Sequence, residues 1–198
     1  NIAAIKVLRT MDAEGRTEAN PEEKETLSKY VGWGAFAQSV FSNNYSQRQE
    51  WEPERKAIVS ILTSEEYEAA RKSTLNAHYT SPEIVKWQWD AAKKLGFKGG
   101  RFLEPSVGIG YYLGMMPEEI AKNTRSTAVE LDPISAQITK ALYPAANVKN
   151  EGFEKHASPD NFYDLVGSNV PFGAYKLHEK RYAKHSANIH DHFFLKSV

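Results

Sequence analysis

The spacing of hydrophobic residues along the chain changes near residue 75. In the first part, apolar residues recur at helical spacing, as at Ile2, Ile5, Leu8 and Met11. Asn20 before Pro21 is typical of a helix cap with proline in the first turn, and residues 63–66 (TSEE) match a capping box. The pattern therefore predicts a helical N-terminal extension over residues 1–75.

A loop with aromatic residues separates the helices of this extension. Residues 32–34 (GWG) and 41–45 (FSNNY) could stack on bases. Burial against the later part of the chain is the favoured interpretation, because large aromatic side chains are mostly buried in folded proteins.

After residue 75 the pattern alternates between strands and helices. A helix is predicted over residues 82–95, and short apolar runs predict strands at residues 101–105, 126–131, 147–150 and 163–168. Such alternation favours an α/β fold in which right-handed crossovers build a parallel sheet. A ligand crevice is then expected where the chain reverses direction, between the first and fourth strands.

A glycine loop follows the first of these strands. Residues 104–110 (EPSVGIG) place two glycines before an apolar helix start, where backbone can approach a ligand and free amides are available. A nicotinamide-binding loop would need a third glycine where Leu113 stands. Glu130 ends the second strand about 20 residues later, a spacing that suits a ribose-binding carboxylate. This spacing fits NAD and S-adenosylmethionine alike.

The fourth strand runs directly into Asn169, Val170, Pro171 and Phe172. An Asn side-chain oxygen and the next backbone carbonyl can both accept hydrogen bonds from an exocyclic amine and orient its lone pair. Proline stiffens the turn, and an aromatic residue can stack on a base taken out of its helix. Alternatively, these four residues have no functional role and form an ordinary turn at the end of a strand. An amine-binding turn has no role in hydride transfer, so it favours methyl transfer over the NAD interpretation.

Taken in order, residues 104–110, 130–133, 152–153 and 169–172 resemble motifs I to IV of the class I adenine-N6 DNA methyltransferases of the gamma arrangement. Residues 76–83 (NAHYTSPE) stand where that family has a segment touching the methionine part of the cofactor. The sequence of nearly the whole chain, including residues 30–34 and 73–82, is more closely similar to large methyltransferase-helicase fusions of phages, plasmids and conjugative elements, including antirestriction proteins. The resemblance implies a Rossmann-like sheet ordered 3-2-1-4 in a core over residues 76–198.

The resemblance also implies the site residues. The catalytic set would be Asn169, Val170, Pro171 and Phe172. S-adenosylmethionine would be held by Tyr79, Thr80, Glu104, Pro105, Ser106, Gly108, Gly110, Glu130, Leu131 and Phe153. Glu104 has a structural alternative, in which its carboxylate binds the amides of the glycine loop. No metal is expected.

Two departures from the family pattern bear on substrate and cofactor. Motif IV usually carries a second proline where this chain has Val170, and rRNA adenine dimethylases also carry an apolar residue there, so RNA stays open beside DNA. Motif III usually places Asp before the aromatic residue, whereas Gly152 precedes Phe153 here, and Glu151 or Glu154 could substitute. The motifs are also compatible with a protein-glutamine methyltransferase and with a catalytically inactive cofactor-binding module.

Composition sets further bounds. The chain has 41% hydrophobic and 25% charged residues, no cysteine, and a formal net charge of +0. No apolar run has membrane length, so no membrane partner and a cytoplasmic location are expected. A net charge near zero is unusual for a domain that binds DNA by itself, because contacts between basic side chains and phosphates supply most of the non-specific affinity for DNA. DNA would then be bound either by a local basic face of this chain or by further domains of a larger parent protein, such as helicase and target-recognition domains.

The segment after motif IV is basic with interleaved aromatic residues. Residues 173–185 (GAYKLHEKRYAKH) suit contacts with phosphates and bases, or else form a solvated loop. Four of the six histidines lie in and after this segment, but without cysteines or regular ligand spacing they give little support to a metal site. A helix is expected from about residue 188, with Phe193 and Phe194 in the core.

The resemblance implies a sheet with more strands than the four predicted here. Strand 163–168 would then be an edge with unpaired backbone groups, although its apolar run suits burial on both sides. We therefore expect this chain to be catalytically incomplete, and we expect it to self-associate through that edge or to have the edge covered by another segment.

Overall fold

A computed structural model describes residues 1–34, 40–41, 49–73 and 80–198 of the chain. Its N-terminal part contains helices α1 (Ile2–Ala13), α2 (Pro21–Ser28), α3 (Glu52–Ile61) and α4 (Ser64–Ser73). Both predicted cap motifs are confirmed. Asn20 and Glu23 exchange side-chain and backbone hydrogen bonds at 2.8 and 2.9 Å, and Thr63 and Glu66 do the same at 2.8 and 3.2 Å.

The later part alternates as predicted. It contains α5 (Pro82–Lys94), β1 (Gly100–Glu104), the short helices α6 (Tyr111–Gly114) and α7 (Glu118–Ala121), β2 (Thr124–Glu130), α8 (Pro133–Leu142), β3 (Asn147–Asn150), β4 (Leu165–Val166) and α9 (Ile189–Ser197). The strands form a four-stranded parallel sheet in the order β3-β2-β1-β4. This confirms the expected α/β architecture and strand order.

The fourth strand is shorter than predicted. Only Leu165 and Val166 form the ladder with β1, and both are half-buried. Backbone bonds from the Asp164 and Gly167 amides to β1 carbonyls, at 2.8 and 3.1 Å, flank the strand on either side. The strand lies at the edge of the described sheet, as expected from the sequence.

The N-terminal helices share one hydrophobic core with α8. Buried residues of α1 and α2, including Ile5, Leu8 and Leu27, pack in one cluster with Ile134 and Ile138 of α8. The Ala19 amide donates to the Ala141 carbonyl at the end of α8 over 3.2 Å. The helical part therefore packs directly on the helix that follows β2. The predicted boundary at residue 75 falls outside the described residues.

Aromatic residues of the loop after α2 are buried. Trp33 contacts Phe41 edge to face at 5.2 Å, and Phe41 contacts Tyr67 of α4 in the same way at 5.0 Å. Trp33 and Phe41 belong to one buried cluster with Ile109, Ile134 and Ile138 of the later part, so the expected burial is confirmed for these two residues. Residues 42–45 of the same predicted loop lie outside the described part of the chain.

Helix α9 packs on the sheet through only one of its two phenylalanines. Phe193 is 5% exposed and contacts the Phe153 ring at 4.9 Å, whereas Phe194 is 62% exposed. The prediction that both lie in the core was wrong, because consecutive helical residues point in directions about 100° apart. Among the described residues, no helix combines the length and the apolar content needed to cross a bilayer.

Candidate active site

A cleft of about 840 Å³ opens at the carboxyl ends of β1, β2 and β4. Parallel strands present their carboxyl ends at one edge, so the loops that follow them converge there. The predicted site residues that line the cleft are Thr80, Glu104, Pro105, Ser106, Gly108, Glu130, Leu131, Phe153, Asn169, Val170, Pro171 and Phe172. Tyr79 lies outside the described residues. Tertiary structure therefore gathers the described motifs into one site.

The glycine loop is held from both sides. Gly108 adopts a φ of 57°, its amide donates to a Glu130 carboxylate oxygen at 2.8 Å, and its carbonyl accepts from the Thr139 hydroxyl at 2.8 Å. A left-handed conformation is readily available to glycine, which explains the residue type at this turn. The loop is thereby fixed to β2 and α8 with its backbone at the cleft.

Gly110 does not line the cleft, although it was predicted to bind cofactor. It has a φ of 87° and caps α6, and a Cβ at this position would overlap the Tyr143 ring. A Cβ at Gly114 would meet the hydroxyl of the same tyrosine. These glycines make room for Tyr143 behind the loop, so the described role of Gly110 is packing.

Glu130 connects three backbone segments at the end of β2. Its two carboxylate oxygens accept the amides of Gly108 and Asp132, each at 2.8 Å. Burial raises the pKa of Glu130 to about 7, and repulsion from Asp132 acts in the same direction, against the effect of the amide hydrogen bonds. The carboxylate is therefore both a structural link and a cleft-lining group that titrates near neutrality.

Glu104 ends β1 and is 1% exposed. Its Oε2 atom has no hydrogen-bond partner among the described residues, and burial, followed by repulsion from Glu130, raises its pKa well above the usual range. The alternative role of binding the loop amides is not observed, because the Gly108 amide goes to Glu130 and the Val107 amide to the Val129 carbonyl. Glu104 lines the cleft as a buried group with one unpaired oxygen among the described residues.

Phe153 forms the floor of the cleft beyond β3. It is 3% exposed and lies between Phe193 and His156, with ring centroids at 4.9 and 6.3 Å. A Cβ at the preceding Gly152 would meet only the Glu154 carboxylate, the far end of a flexible side chain that can move aside. Glu151 and Glu154 both line the cleft, and Glu151 also contacts His156 at 2.9 Å.

The motif after β4 runs along the opposite wall. Val170 packs against Leu103 and Phe153 in a hydrophobic cluster beneath the cleft, while Asn169 is half-buried. Phe172 is 58% exposed, with its ring 6.5 Å from that of His190. The motif thus presents a polar side chain toward the cleft and an aromatic face at its mouth.

The helical part contributes a wall that the sequence did not predict. Tyr30 and Gly32 from the loop after α2, together with Glu65, Glu68 and Ala69 of α4, line the cleft. No local pattern marks them, because their position depends on the packing of α4 beside α8. Tyr111 and Tyr112 of α6 were likewise missed, and the Tyr112 hydroxyl interacts with Gln88 and Thr80.

The cleft is lined by carboxylates without basic partners in the lining. Seven acidic residues contribute to it: Glu65, Glu68, Glu104, Glu130, Asp132, Glu151 and Glu154. None of the described residues that line it is Lys, Arg or His. Beyond the cleft, Arg71 pairs with Glu68 at 2.9 Å and His156 contacts Glu151. Burial raises the pKa of Glu104, Glu130 and Asp132, which favours their neutral forms, but the described lining offers no cationic side chain to a phosphate-bearing ligand.

The basic segment after motif IV lies beside the cleft mouth and is tied to α9. Glu179 accepts hydrogen bonds from Lys196 at 2.9 Å and lies 3.0 Å from the ring nitrogen of His192. Within the same segment, Lys176, Lys180 and Lys184 are exposed, and Arg181 pairs with Asp160. Within the described ranges, no three His, Cys, Asp or Glu side chains are grouped as a metal site would require.

No family model matches this chain. The chain is 32% identical over 115 residues to Defense against restriction protein B of Escherichia phage P1, a match that covers 57% of this chain but 5% of that protein. A crystal structure described as a putative class I S-adenosylmethionine-dependent methyltransferase of Listeria monocytogenes aligns with 87% of this chain and 59% of its own. That alignment has 14% identity and a TM-score of 0.42, and a likeness of this size carries no weight for fold or function.

Proposed function

We propose that this chain transfers a methyl group from S-adenosylmethionine to the exocyclic N6 amine of adenine in DNA. The observation that carries the proposal is the convergence of the glycine loop, Glu130 and Asn169 on one acidic cleft. This pairs a nucleoside-binding loop with an amine-binding turn, as methyl transfer to an amine requires.

The described residues fit S-adenosylmethionine. Glu130 would bind the ribose, Phe153 would line the adenine, and Thr80 with Glu104 would face the methionine end. The orphaned Oε2 of Glu104 supports this fit, since a buried carboxylate oxygen without a partner among the described residues is suited to a cationic or hydrogen-bonding ligand. When bound, S-adenosylmethionine supplies an electrophilic methyl group attached to a positively charged sulfur.

NAD is disfavoured by the same lining. Its pyrophosphate would enter a cleft with seven carboxylates and no basic side chain among the described lining residues. Those of the seven that are ionised repel a phosphate, and no cation among the described lining residues offsets the repulsion. The absence of a third loop glycine, with Leu113 in its place, points the same way.

The amine would be held by Asn169 and the Val170 carbonyl. Two accepted hydrogen bonds orient the amine lone pair toward the methyl carbon, and Phe172 would stack on the extruded base. The lone pair forms the new N–C bond as the S–C bond breaks with its electron pair remaining on sulfur, and the methylated amine then releases a proton to water. Positioning supplies most of the available rate gain, up to about 7–11 kcal/mol in well-oriented systems.

A nucleic-acid substrate is supported by the charge distribution around the cleft. The interior is acidic, whereas the segment beside its mouth exposes Lys176, Lys180 and Lys184. Basic groups there would contact phosphates while a single base enters. The phage relative's name refers to defence against restriction, which favours DNA over the RNA alternative left open by Val170.

The test is methyl transfer from radiolabelled S-adenosylmethionine to DNA, RNA and a glutamine-bearing protein in parallel, measured for this chain and for a protein that extends it beyond residue 198. We expect label in DNA, recovered as N6-methyladenine after hydrolysis, and none above background in the other two. Label in RNA or glutamine would replace the proposed substrate with that alternative. Binding of S-adenosylmethionine without transfer to any substrate would instead support the inactive cofactor-binding module.

A further inference from the structure

The basic segment after motif IV, residues 173–185, has one acidic residue among four Lys or Arg and two His. Its side chains alternate in exposure where it passes the cleft. Leu177 and Glu179 are half-buried, and Leu177 lines the cleft. The residues between and beside them are exposed and basic: Lys176, His178 and Lys180. Because the stretch itself lines the cleft, these three side chains, the basic row, face solvent beside the cleft mouth.

Glu179, the acidic residue of the segment, is anchored on α9. Both of its carboxylate oxygens accept hydrogen bonds from the Lys196 ammonium at 2.9 Å, and one of them lies 3.0 Å from His192 Nε2. The three side chains are only 18%, 9% and 3% exposed, in the order Glu179, Lys196 and His192. Burying a charge is costly unless it is paired, and here the pairing joins the segment to a helix.

Lys196 connects this anchor to the floor of the cleft. Its ammonium also donates to the Glu154 carbonyl at 3.3 Å and lies 5.1 Å from the centre of the Phe153 ring. The group that holds Glu179 is therefore itself held by the segment after β3. The position of the basic row relative to the cleft is set by these contacts.

We propose that the basic row binds the phosphate backbone of the DNA strand whose base enters the cleft, and that Glu179 is the positioning residue for this row. The inference rests on the proposed function and deepens it. Residues two apart in a chain lie at most about 7 Å from each other, so a short row can contact neighbouring phosphates of one strand. Lys176 donates to the Ser186 hydroxyl at 2.6 Å, and its ammonium has further donors for a phosphate.

Replacement of Glu179 separates positioning from net charge. Glu179→Ala makes the segment more positive by one charge, so electrostatics alone predicts tighter binding of DNA. Positioning predicts weaker binding, because Lys196 loses its carboxylate partner and the basic row loses its anchor. The matched control is Asp160→Ala, which makes the same charge change beside the same segment. Asp160 meets Arg181 in an exposed pair at 2.6 Å, and exposed pairs contribute little to stability.

The experiment is fluorescence anisotropy of a labelled DNA duplex with this chain at about 50 to 200 mM salt, which gives affinity and its salt dependence. Glu179→Ala should weaken DNA binding by at least about fivefold and lower the slope of log affinity against log salt by about 1. The milder Glu179→Gln should act in the same direction. The K176Q/K180Q double variant should lower the slope by about 2. Asp160→Ala should bind DNA at least as tightly as the wild type.

Calorimetry with S-adenosylmethionine and thermal unfolding accompany each variant. The cofactor affinity should stay nearly unchanged in K176Q/K180Q and should fall less than the DNA affinity in the Glu179 variants. An equal loss of both affinities would show that Glu179 supports the cleft as a whole, and would overturn its assignment to the basic row.

Other contrary outcomes concern DNA binding alone. An unchanged salt slope in K176Q/K180Q, or no binding of the duplex by the wild type at the lowest salt, would overturn the basic row as a DNA-binding surface. DNA binding by Glu179→Gln that equals or exceeds that of the wild type would overturn the positioning role. Tighter binding of an RNA of the same sequence would overturn DNA as the partner. These measurements do not depend on methyl transfer, so failure of the proposed function is detected separately by the labelling experiment.

Discussion

The Glu130 carboxylate accepts the Gly108 amide at 2.8 Å, joining the end of β2 to the glycine loop that follows β1. One side chain thus fixes the backbone of the loop and presents a carboxylate to the cleft. The other carboxylate oxygen of Glu130 accepts a hydrogen bond from the Asp132 amide. Glu130 therefore positions the backbone of both the glycine loop and the segment that follows β2.

Glu130→Gln should weaken S-adenosylmethionine binding by at least about tenfold, since an amide has one accepting oxygen and leaves one buried backbone donor unpaired. Calorimetry measures the effect. Glu119→Gln is the control, because Glu119 is exposed on α7 and pairs only with Lys93 among the described ion pairs. Equal affinity of wild type and Glu130→Gln would contradict the assignment of Glu130 to the cofactor.

Asn169→Ala should lower turnover by at least about a hundredfold while leaving cofactor affinity nearly unchanged, because Asn169 is assigned to the target amine. Single-turnover methylation by the protein extended beyond residue 198, together with calorimetry, separates the two effects. The control is Asn147→Ala, because Asn147 is exposed on β3 and does not line the cleft. This variant should retain full activity. An active Asn169→Ala enzyme would refute the role.

Phe172→Ala should weaken binding of a DNA duplex that contains an abasic site opposite the target adenine, which favours extrusion of the base. Stacking of one base on an aromatic side chain contributes about 1–3 kcal/mol. Fluorescence anisotropy measures the change. Phe194→Ala removes a similarly exposed ring outside the cleft, and an equal loss in both variants would argue against specific stacking.

Gly110→Ala should destabilise the fold more than Gly15→Ala. Both glycines have positive φ, 87° and 68°, so alanine costs about 1–3 kcal/mol of backbone strain at either position. Only at Gly110 would the added Cβ overlap the Tyr143 ring, whereas nothing lies within 4 Å of one at Gly15. Chemical denaturation compares the two, and equal losses would show that Tyr143 moves aside freely.

The free energy of unfolding of the ligand-free protein should receive a contribution from Glu130 that decreases as pH rises. The folded state holds the proton up to a pKa of about 7, while the unfolded state releases it near the ordinary glutamate pKa of 4.5. Between these values the folded state binds more protons, so raising the pH favours unfolding. Unfolding curves from about pH 4 to 8, compared with Glu130→Gln, isolate this contribution, and parallel pH profiles would contradict it.

Local motifs could be predicted from the sequence because each depends on residues only a few positions away in the chain. The caps at Asn20 and Thr63 require only a partner three residues later, and both formed as predicted. The convergence of Glu130 and Asn169 on one cleft also followed from local reasoning, since the carboxyl ends of parallel strands share an edge. The strand order itself was anticipated from resemblance rather than from periodicity.

Contacts between distant segments were decided by the tertiary structure alone. Glu65 and Glu68 read as ordinary charges in the first turns of a surface helix, and only the packing of α4 beside α8 brings them to the cleft. The sequence suggests that Gly110 binds a ligand, but in the structure its lack of a side chain leaves room for the ring of Tyr143, which follows α8. Phe194 faces solvent because Phe193 takes the position against Phe153. A residue's type determines which interactions it can make, but long-range packing determines which of them form.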